Sequence, residues 1–215
     1  MHPLLPVLLA AAEGSFPAID GGVTMLPPHR RGLESIVSFT GHAYVSSRLS
    51  LADLSDLDPD GYGAVLNPEV QLRMAGQGGA VGVVDVMMFA RGRGGSSLEP
   101  LQDLDEHPRV RYARSIRDEV KVYGSAEGLV TIGLGLGDRV EMSIEISGIG
   151  VRGRDLINEA LGLVEEGEPL FAAVSPGNAR SLRAFLSCGF VPLGSEVVIR
   201  TAAGGAAEPL LTARS

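Results

Sequence analysis

Between Glu119 and Ser147 three strand-like runs, EVKVYG, LVTIGLGLG and VEMSIEIS, are separated only by SAEG and DR. Connections this short cannot carry a crossover, so the three runs are expected to pair as antiparallel hairpins. The next stretch, GIGVRGRDLINEALGLVEEGE, places Leu156, Ile157, Ala160, Leu161 and Val164 at helical spacing and stops at Gly167. PLFAAVS then reads as a strand, NARSLRAFLSCGF as a helix and VPLGSEVVIRTAA as a last strand or hairpin. A meander followed by helix, strand, helix, strand predicts an α/β chain with a mixed, mostly antiparallel sheet.

The middle run carries Gly133, Gly135 and Gly137 at every second position, on one face of a strand. Glycine weakens a strand, so something is expected to approach closely there: a helix, a ligand or another backbone.

The first half is less regular. Residues 1–34 read as an arm: a short docking helix in HPLLPVLLAAAEG, then irregular backbone through FPAIDGGVTMLPPHRRG. The domain is expected over 35–204 and a fraying tail over 205–215. SIVSFTGHAYVSS and AVGVVDVMMFARG are strand-like. NPEVQLRMAG has Asn67 as cap, Pro68 at the first helical position and Gly76 as stop, and Pro108 opens the helix PRVRYARSIRD.

Composition narrows the function. A formal charge of −8 argues against nucleic-acid and anionic-membrane partners and mildly favours a cationic one, such as an amine. No stretch approaches the roughly 20 apolar residues of a membrane span. The one cysteine, Cys188, excludes an intramolecular disulfide and a thiolate metal site and fits a reducing, cytoplasmic setting. The four histidines are scattered without ligand spacing, so no metal is expected.

Gly148-Ile149-Gly150-Val151-Arg152-Gly153 is a literal G-x-G-x-x-G between a strand and a helix. A dinucleotide-binding unit would need an acidic residue ending the next strand, yet that strand ends Ala173-Val174-Ser175-Pro176. Too little chain remains for a doubly wound sheet. The local physics holds regardless: a glycine turn at a helix start presents free N–H groups and the positive end of the dipole, with Arg152 and Arg154 beside it. That suits a phosphate; a tight turn with solvated arginines is the plain alternative.

With the downstream segment VSPGNARSLRAFLSCGF, this half of the chain resembles the GNAT superfamily, the Gcn5-related N-acetyltransferases, over residues 119–200. Family members carry a strand, an Asn-x-Arg-Ala/Ser start and a helix ending Gly-Phe, matched by Asn178, Arg180, Ser181, Gly189 and Phe190. The resemblance implies a GNAT-like fold in which acetyl-CoA, a co-substrate, lies in a gap between two parallel strands that splay apart, here EMSIEIS and LFAAVSP. The pantetheine arm would pair with the backbone at Ile144, Glu145, Ile146 and Ser147. The pyrophosphate would sit on the turn through Gly148, Ile149, Gly150, Val151, Arg152, Gly153 and Arg154. Asn178 and Ser181 would flank the arm from the far side; a plain helix cap is the other role of Asn178, and the two are compatible. Two positions depart from the family pattern. Asp155 and Ile157 stand where the pyrophosphate turn has small residues, unless Gly148, Gly150 and Gly153 form the cradle in another register. Phe185, beside the thiol end, replaces a tyrosine that protonates the departing thiolate.

The implied activity is N-acetyl transfer from acetyl-CoA to a small-molecule or peptide amine, with a CoA-binding or regulatory protein of lost catalysis as the alternative. An unrelated α/β protein with a structural glycine turn is the third reading. Glu145, close to the splay, is the first candidate for the base that deprotonates the amine, and His42, on a strand with Tyr44, is the second. Each is equally readable as a solvated or salt-bridged strand residue. An open sheet tends to cover its edges by pairing, so a homodimer is consistent with the pattern.

Overall fold

The computed structural model describes residues 1–148 and 153–202. Among these the chain is a mixed α/β protein. The described residues divide into two compact units, one of 1–86 with 193–202, the other of 87–148 with 153–192.

The first unit is built from both ends of the sequence. It contains α1 (Leu4–Ala12), β1 (Gly22–Leu26), β2 (Leu33–Phe39), β3 (His42–Ser46), α2 (Pro68–Ala75), β4 (Ala80–Val81) and most of β11 (Val191–Arg200). The run SIVSFTGHAYVSS, expected as one strand, is a hairpin. Phe39 pairs with His42 across Thr40-Gly41, and Gly41 takes φ 76°, a left-handed value glycine adopts without strain. β1 pairs parallel to β3 through Gly22↔His42 and Thr24↔Tyr44, so a strand stands where the arm was expected to be irregular. β11 pairs antiparallel with β2 on one side and with β4 on the other. Period-two alternation turns Ile36, Ala43, Val45, Val197 and Ile199 to one face, where Leu54, Val65, Val70 and Met74 close the core. On the opposite face Phe16 packs edge-on against Phe39, so the arm lies over the sheet. α1 is the expected helix, with Leu4, Leu8, Ala11 and Ala12 buried.

The second unit contains β5 (Asp85–Arg91, from Met87), β6 (Glu99–Pro100), α3 (Pro108–Ile116), β7 (Asp118–Ser125), β8 (Gly128–Leu134), β9 (Val140–Ile146), α4 (Gly153–Gly162), β10 (Pro169–Val174) and α5 (Ala179–Ser187). Its strands run in the order β5-β10-β9-β8-β7-β6. The meander β7-β8-β9 is antiparallel as expected. β10 is parallel to β9, and among the described residues their register covers only Phe171↔Glu141 and Ala172↔Met142.

The glycine row of the middle run divides between two structures. β8 ends at Leu134, and Gly137, at φ 67°, belongs to a 3-10 turn over Leu136–Asp138. A Cβ on Gly133 would lie 2.7 Å from the Asp118 carbonyl, and one on Gly135 would lie 2.4 Å from Glu141 Oε2. What approaches is therefore the β7 backbone and a buried carboxylate, not a helix.

That carboxylate anchors the start of β9. Glu141 Oε1 accepts from Arg117 Nε at 2.8 Å, and Oε2 accepts from Arg139 Nε at 2.9 Å. Arg117 also donates to Thr131 and Ser143 hydroxyls at 3.3 and 3.2 Å. Arg139 lies 5.3 Å from the Phe171 ring centroid on β10, a cation–π distance. All three charged side chains are buried. Burial drives the Glu141 pKa up, but attraction and hydrogen bonds from Arg117 and Arg139 overcome it and hold the carboxyl at about 2.

Candidate functional site

A cavity of 540 Å³ opens in the second unit along β9 beyond its paired start. Ile144, Glu145 and Ile146 of β9 line one side, Gly153, Arg154 and Ile157 of α4 another, and the first turns of α5 a third. Ser147 N–H donates to Glu127 O at 2.8 Å, on the β8 side. Antiparallel ladders alternate, so Ser143 and Glu145 also turn their backbone groups to β8, while Ile144 and Ile146 turn theirs to the opposite edge. That edge is where β10 has left β9. Among the described residues no strand is paired with this edge at Ile144 and Ile146, so it can offer donors and acceptors to whatever occupies the cavity.

α5 gives the cavity its charge. Arg180, Arg183, Ala184 and Ser187 recur three and four apart and all line it. The opposite face holds Phe185, buried at 4% exposure. The helix stop explains that side chain. Gly189 N–H bonds Leu186 O at 3.1 Å and Phe190 N–H bonds Phe185 O at 3.1 Å, with Gly189 at φ 94°. This is a Schellman stop, and its apolar clasp is Phe185 on Phe190, with centroids 4.8 Å apart at 80°. Phe185 is not among the residues lining the cavity.

At the other end of α5, Asn178 Oδ1 accepts from Ser181 N–H at 3.0 Å. Asn178 is therefore a true cap, and both residues also line the cavity. Arg93 braces the two framing helices, donating to Asn158 Oδ1 of α4 and to the Cys188 carbonyl ending α5, each at 2.8 Å. Cys188 is buried beside them, and burial pushes its thiol up. It packs as the sequence leads one to expect of a lone small residue.

Among the described residues nothing crowds Gly148 or Gly153. A Cβ on Gly148 would meet nothing within 4 Å, and one on Gly153 would meet only Ile146 Cγ2, at 3.6 Å. Neither needs a left-handed φ. Asp155 is not among the lining residues, whereas buried Ile157 is. Ile149, Gly150, Val151 and Arg152, central to the expected turn, lie outside the described residues, as does the expected tail.

Glu145 reaches the cavity in company. Its Oε2 lies 3.5 Å from Arg109 Nε and its Oε1 lies 3.7 Å from His107 Nε2. His107 caps α3, Nδ1 accepting from Arg109 N–H at 3.2 Å, which leaves Nε2 as the protonated nitrogen of a neutral ring. Burial lowers the Arg109 pKa, and Glu145 opposes that shift. Arg109, Arg180 and Arg183 were missed from the sequence as cavity residues. The stripe of α5 was legible in its spacing, but Arg109 lies on a helix 36 residues before Glu145 and gave no local signal.

His42 belongs to the first unit. Its Nδ1 is 2.8 Å from Asp20 Oδ1 and its Nε2 is 2.9 Å from Thr24 Oγ1. Ser147 and Gly148 are exposed at the end of β9. Among the described residues no helix is long and apolar enough to cross a membrane, and no group of three His, Cys, Asp or Glu is placed to hold a metal.

No family model and no curated protein matches the chain. Solved structures do. One, from Novosphingobium aromaticivorans and named for the GNAT acetyltransferase family, is 16% identical with a TM-score of 0.40, over 58% of this chain and 68% of that one. A second GNAT-family acetyltransferase, from Colwellia psychrerythraea, is 10% identical with a TM-score of 0.37, over 57% of each chain. A conserved protein of unknown function from Staphylococcus epidermidis is 14% identical with a TM-score of 0.36, over 57% of this chain and 62% of that one.

Proposed function

We propose that the cavity takes an acyl-CoA and that the protein transfers its acyl group to an amine. The observation that carries this reading is the free edge of β9 at Ile144 and Ile146, facing a cavity whose other walls carry Arg154, Arg180 and Arg183. An extended amide-bearing arm can pair with such an edge as an added strand would. A phosphorylated head group suits the arginines and the adjoining helix starts. Acetyl-CoA fits both demands at once.

In transfer, the amine must lose a proton before it attacks the thioester carbonyl. Glu145 is the carboxylate at the cavity wall available to accept that proton, with Arg109 and His107 holding it in place. The backbone N–H groups at Ile144 and Ile146 can bind both the arm and the developing oxyanion. Side-by-side binding of amine and thioester supplies much of the remaining acceleration.

A second reading, CoA binding without transfer, is favoured by one observation. Among the described residues lining the cavity there is no tyrosine, and Phe185 is committed to its clasp with Phe190, so the place of a thiolate-protonating tyrosine is not filled there. Calorimetric titration with acetyl-CoA and with CoA tests the shared part. Saturable binding weakened by Arg180→Glu is expected, and no binding of either at millimolar concentration refutes both readings. Release of free thiol with an amine panel then separates transfer from binding alone.

A further inference from the structure

A second chemical centre stands in the first unit, independent of the cavity. Thr24 on β1, His42 on β3 and Asp20 just before β1 form a continuous relay: Thr24 Oγ1 to His42 Nε2 at 2.9 Å, and His42 Nδ1 to Asp20 Oδ1 at 2.8 Å. The geometry points to a nucleophile, base and positioning-acid arrangement in which Thr24 attacks the carbonyl of a carboxylic ester.

The roles follow from the atoms. An Asp20 carboxylate can only accept, so His42 Nδ1 must carry the proton it shares. In the neutral ring Nε2 is then the acceptor, and the Thr24 hydroxyl is its donor. Hydrogen bonds from His42 and from Gly22 N–H hold the Asp20 carboxyl below the usual carboxylate range, so it stays ionised. The relay is in the tautomer a general base requires.

The placement is over-determined. Parallel pairing of Gly22 with His42 and of Thr24 with Tyr44 sets His42 and Thr24 on one face of neighbouring strands. Gly22 N–H donates to Asp20 Oδ1 at 2.7 Å, and Gly21 N–H donates to the Gly41 carbonyl at 2.9 Å. The Asp20 loop is thereby tied to the turn before β3. Gly61 N–H in turn bonds the Gly21 carbonyl at 2.9 Å. A Cβ on Gly22 would lie 2.8 Å from Asp20 Oδ1 and 3.0 Å from His42 Cε1, so only glycine leaves room for the carboxylate and ring to meet. The clustered core residues of the unit point to the other face, and on this one the His42 ring packs against Tyr44 with centroids 5.0 Å apart. The His42 side chain is 13% exposed and that of Asp20 is 52% exposed, so the relay opens to solvent.

The step balances without a co-reactant other than water. Thr24 Oγ bonds the carbonyl carbon as its proton passes to His42 Nε2. The carbon–alkoxy bond breaks and the alcohol leaves with that proton, giving an acyl-threonine ester. Water then gives a proton to His42 and attacks the same carbon. Thr24 Oγ leaves and regains the proton, releasing the carboxylic acid.

The test uses the full chain with p-nitrophenyl acetate as probe, reading p-nitrophenol release and, by mass spectrometry after acid quench, the site of acetylation. Acetylation at Thr24 is expected, with hydrolysis falling at least about 100-fold in Thr24→Val and in His42→Gln. Thr24→Ser should retain activity, and Asp20→Asn should lower kcat while leaving KM unchanged. Thermal unfolding of each variant separates lost chemistry from lost fold. Release unchanged in both Thr24→Val and His42→Gln, or acetylation only elsewhere, overturns the proposal. None of these outcomes depends on whether the cavity of the other unit binds an acyl-CoA.

Discussion

Replacing Glu141 by Gln removes a carboxylate that bridges two buried guanidinium groups. Side-chain exposure is 4% for Glu141, 4% for Arg117 and 0% for Arg139, so solvent screens none of them. The unfolded chain titrates this carboxyl near 4.5, and in the fold it stays ionised down to about 2. At about 1.4 kcal/mol per pH unit the pair is worth about 3 kcal/mol at neutral pH. The mutational route agrees, since stripping the partner from a buried ion pair costs about 3–5 kcal/mol. The folded pKa lies below the unfolded one, so this stability is complete above pH 4.5 and is lost as the pH falls toward 2. Urea unfolding of wild type and Glu141→Gln, followed from pH 7 to pH 3, reads both effects. The variant is expected to be less stable by about 3–5 kcal/mol at pH 7 and to show a shallower decline in acid. A loss under about 1 kcal/mol at pH 7, or an unchanged acid slope, would refute the reasoning.

Three further outcomes follow from local geometry. Gly135→Ala places a Cβ 2.4 Å from Glu141 Oε2, and a cost of about 1–3 kcal/mol is expected in the same urea assay. Asn178→Ala removes the α5 cap at 3.0 Å, lowering stability by about 1 kcal/mol and weakening CoA binding by calorimetry. Arg180→Glu with Arg183→Glu leaves the Schellman stop intact, so thermal stability should hold while CoA affinity falls at least about tenfold, and falls less at high salt where the charges are already screened.

Short connections made the meander β7-β8-β9 legible, and the spacing of α4 gave its apolar face. Local rules sufficed there because each element's partner is its neighbour in sequence. The glycine row was legible as a close approach but not as to what approached, because Glu141 reaches Gly135 only after the chain has turned through Leu136–Asp138. β1 was missed since GVTML is a five-residue run between Gly21 and Pro27-Pro28, too short to stand out, and is a strand because β3 lends it a ladder. The same reason hid the Thr24–His42 contact, which joins residues 18 apart through strand register. At the cavity, Asn178, Ser181 and the β9 edge were legible as a motif. Arg109 was not, because an ion pair across α3 and β9 leaves no periodic trace.

The first unit closes with a strand taken from far down the chain. β11 supplies Val197 and Ile199 to its core and covers the edge of β2. During synthesis the hairpin of β2 and β3 therefore emerges with an apolar edge bare, and it must wait until all of Met87–Pro192 has been translated. The inserted unit can mature first, reversing the usual order in which the earlier residues finish folding before the later ones. Premature termination or a stalled ribosome would leave an adhesive half-sheet, so chaperone demand should fall on nascent chains rather than on the finished protein.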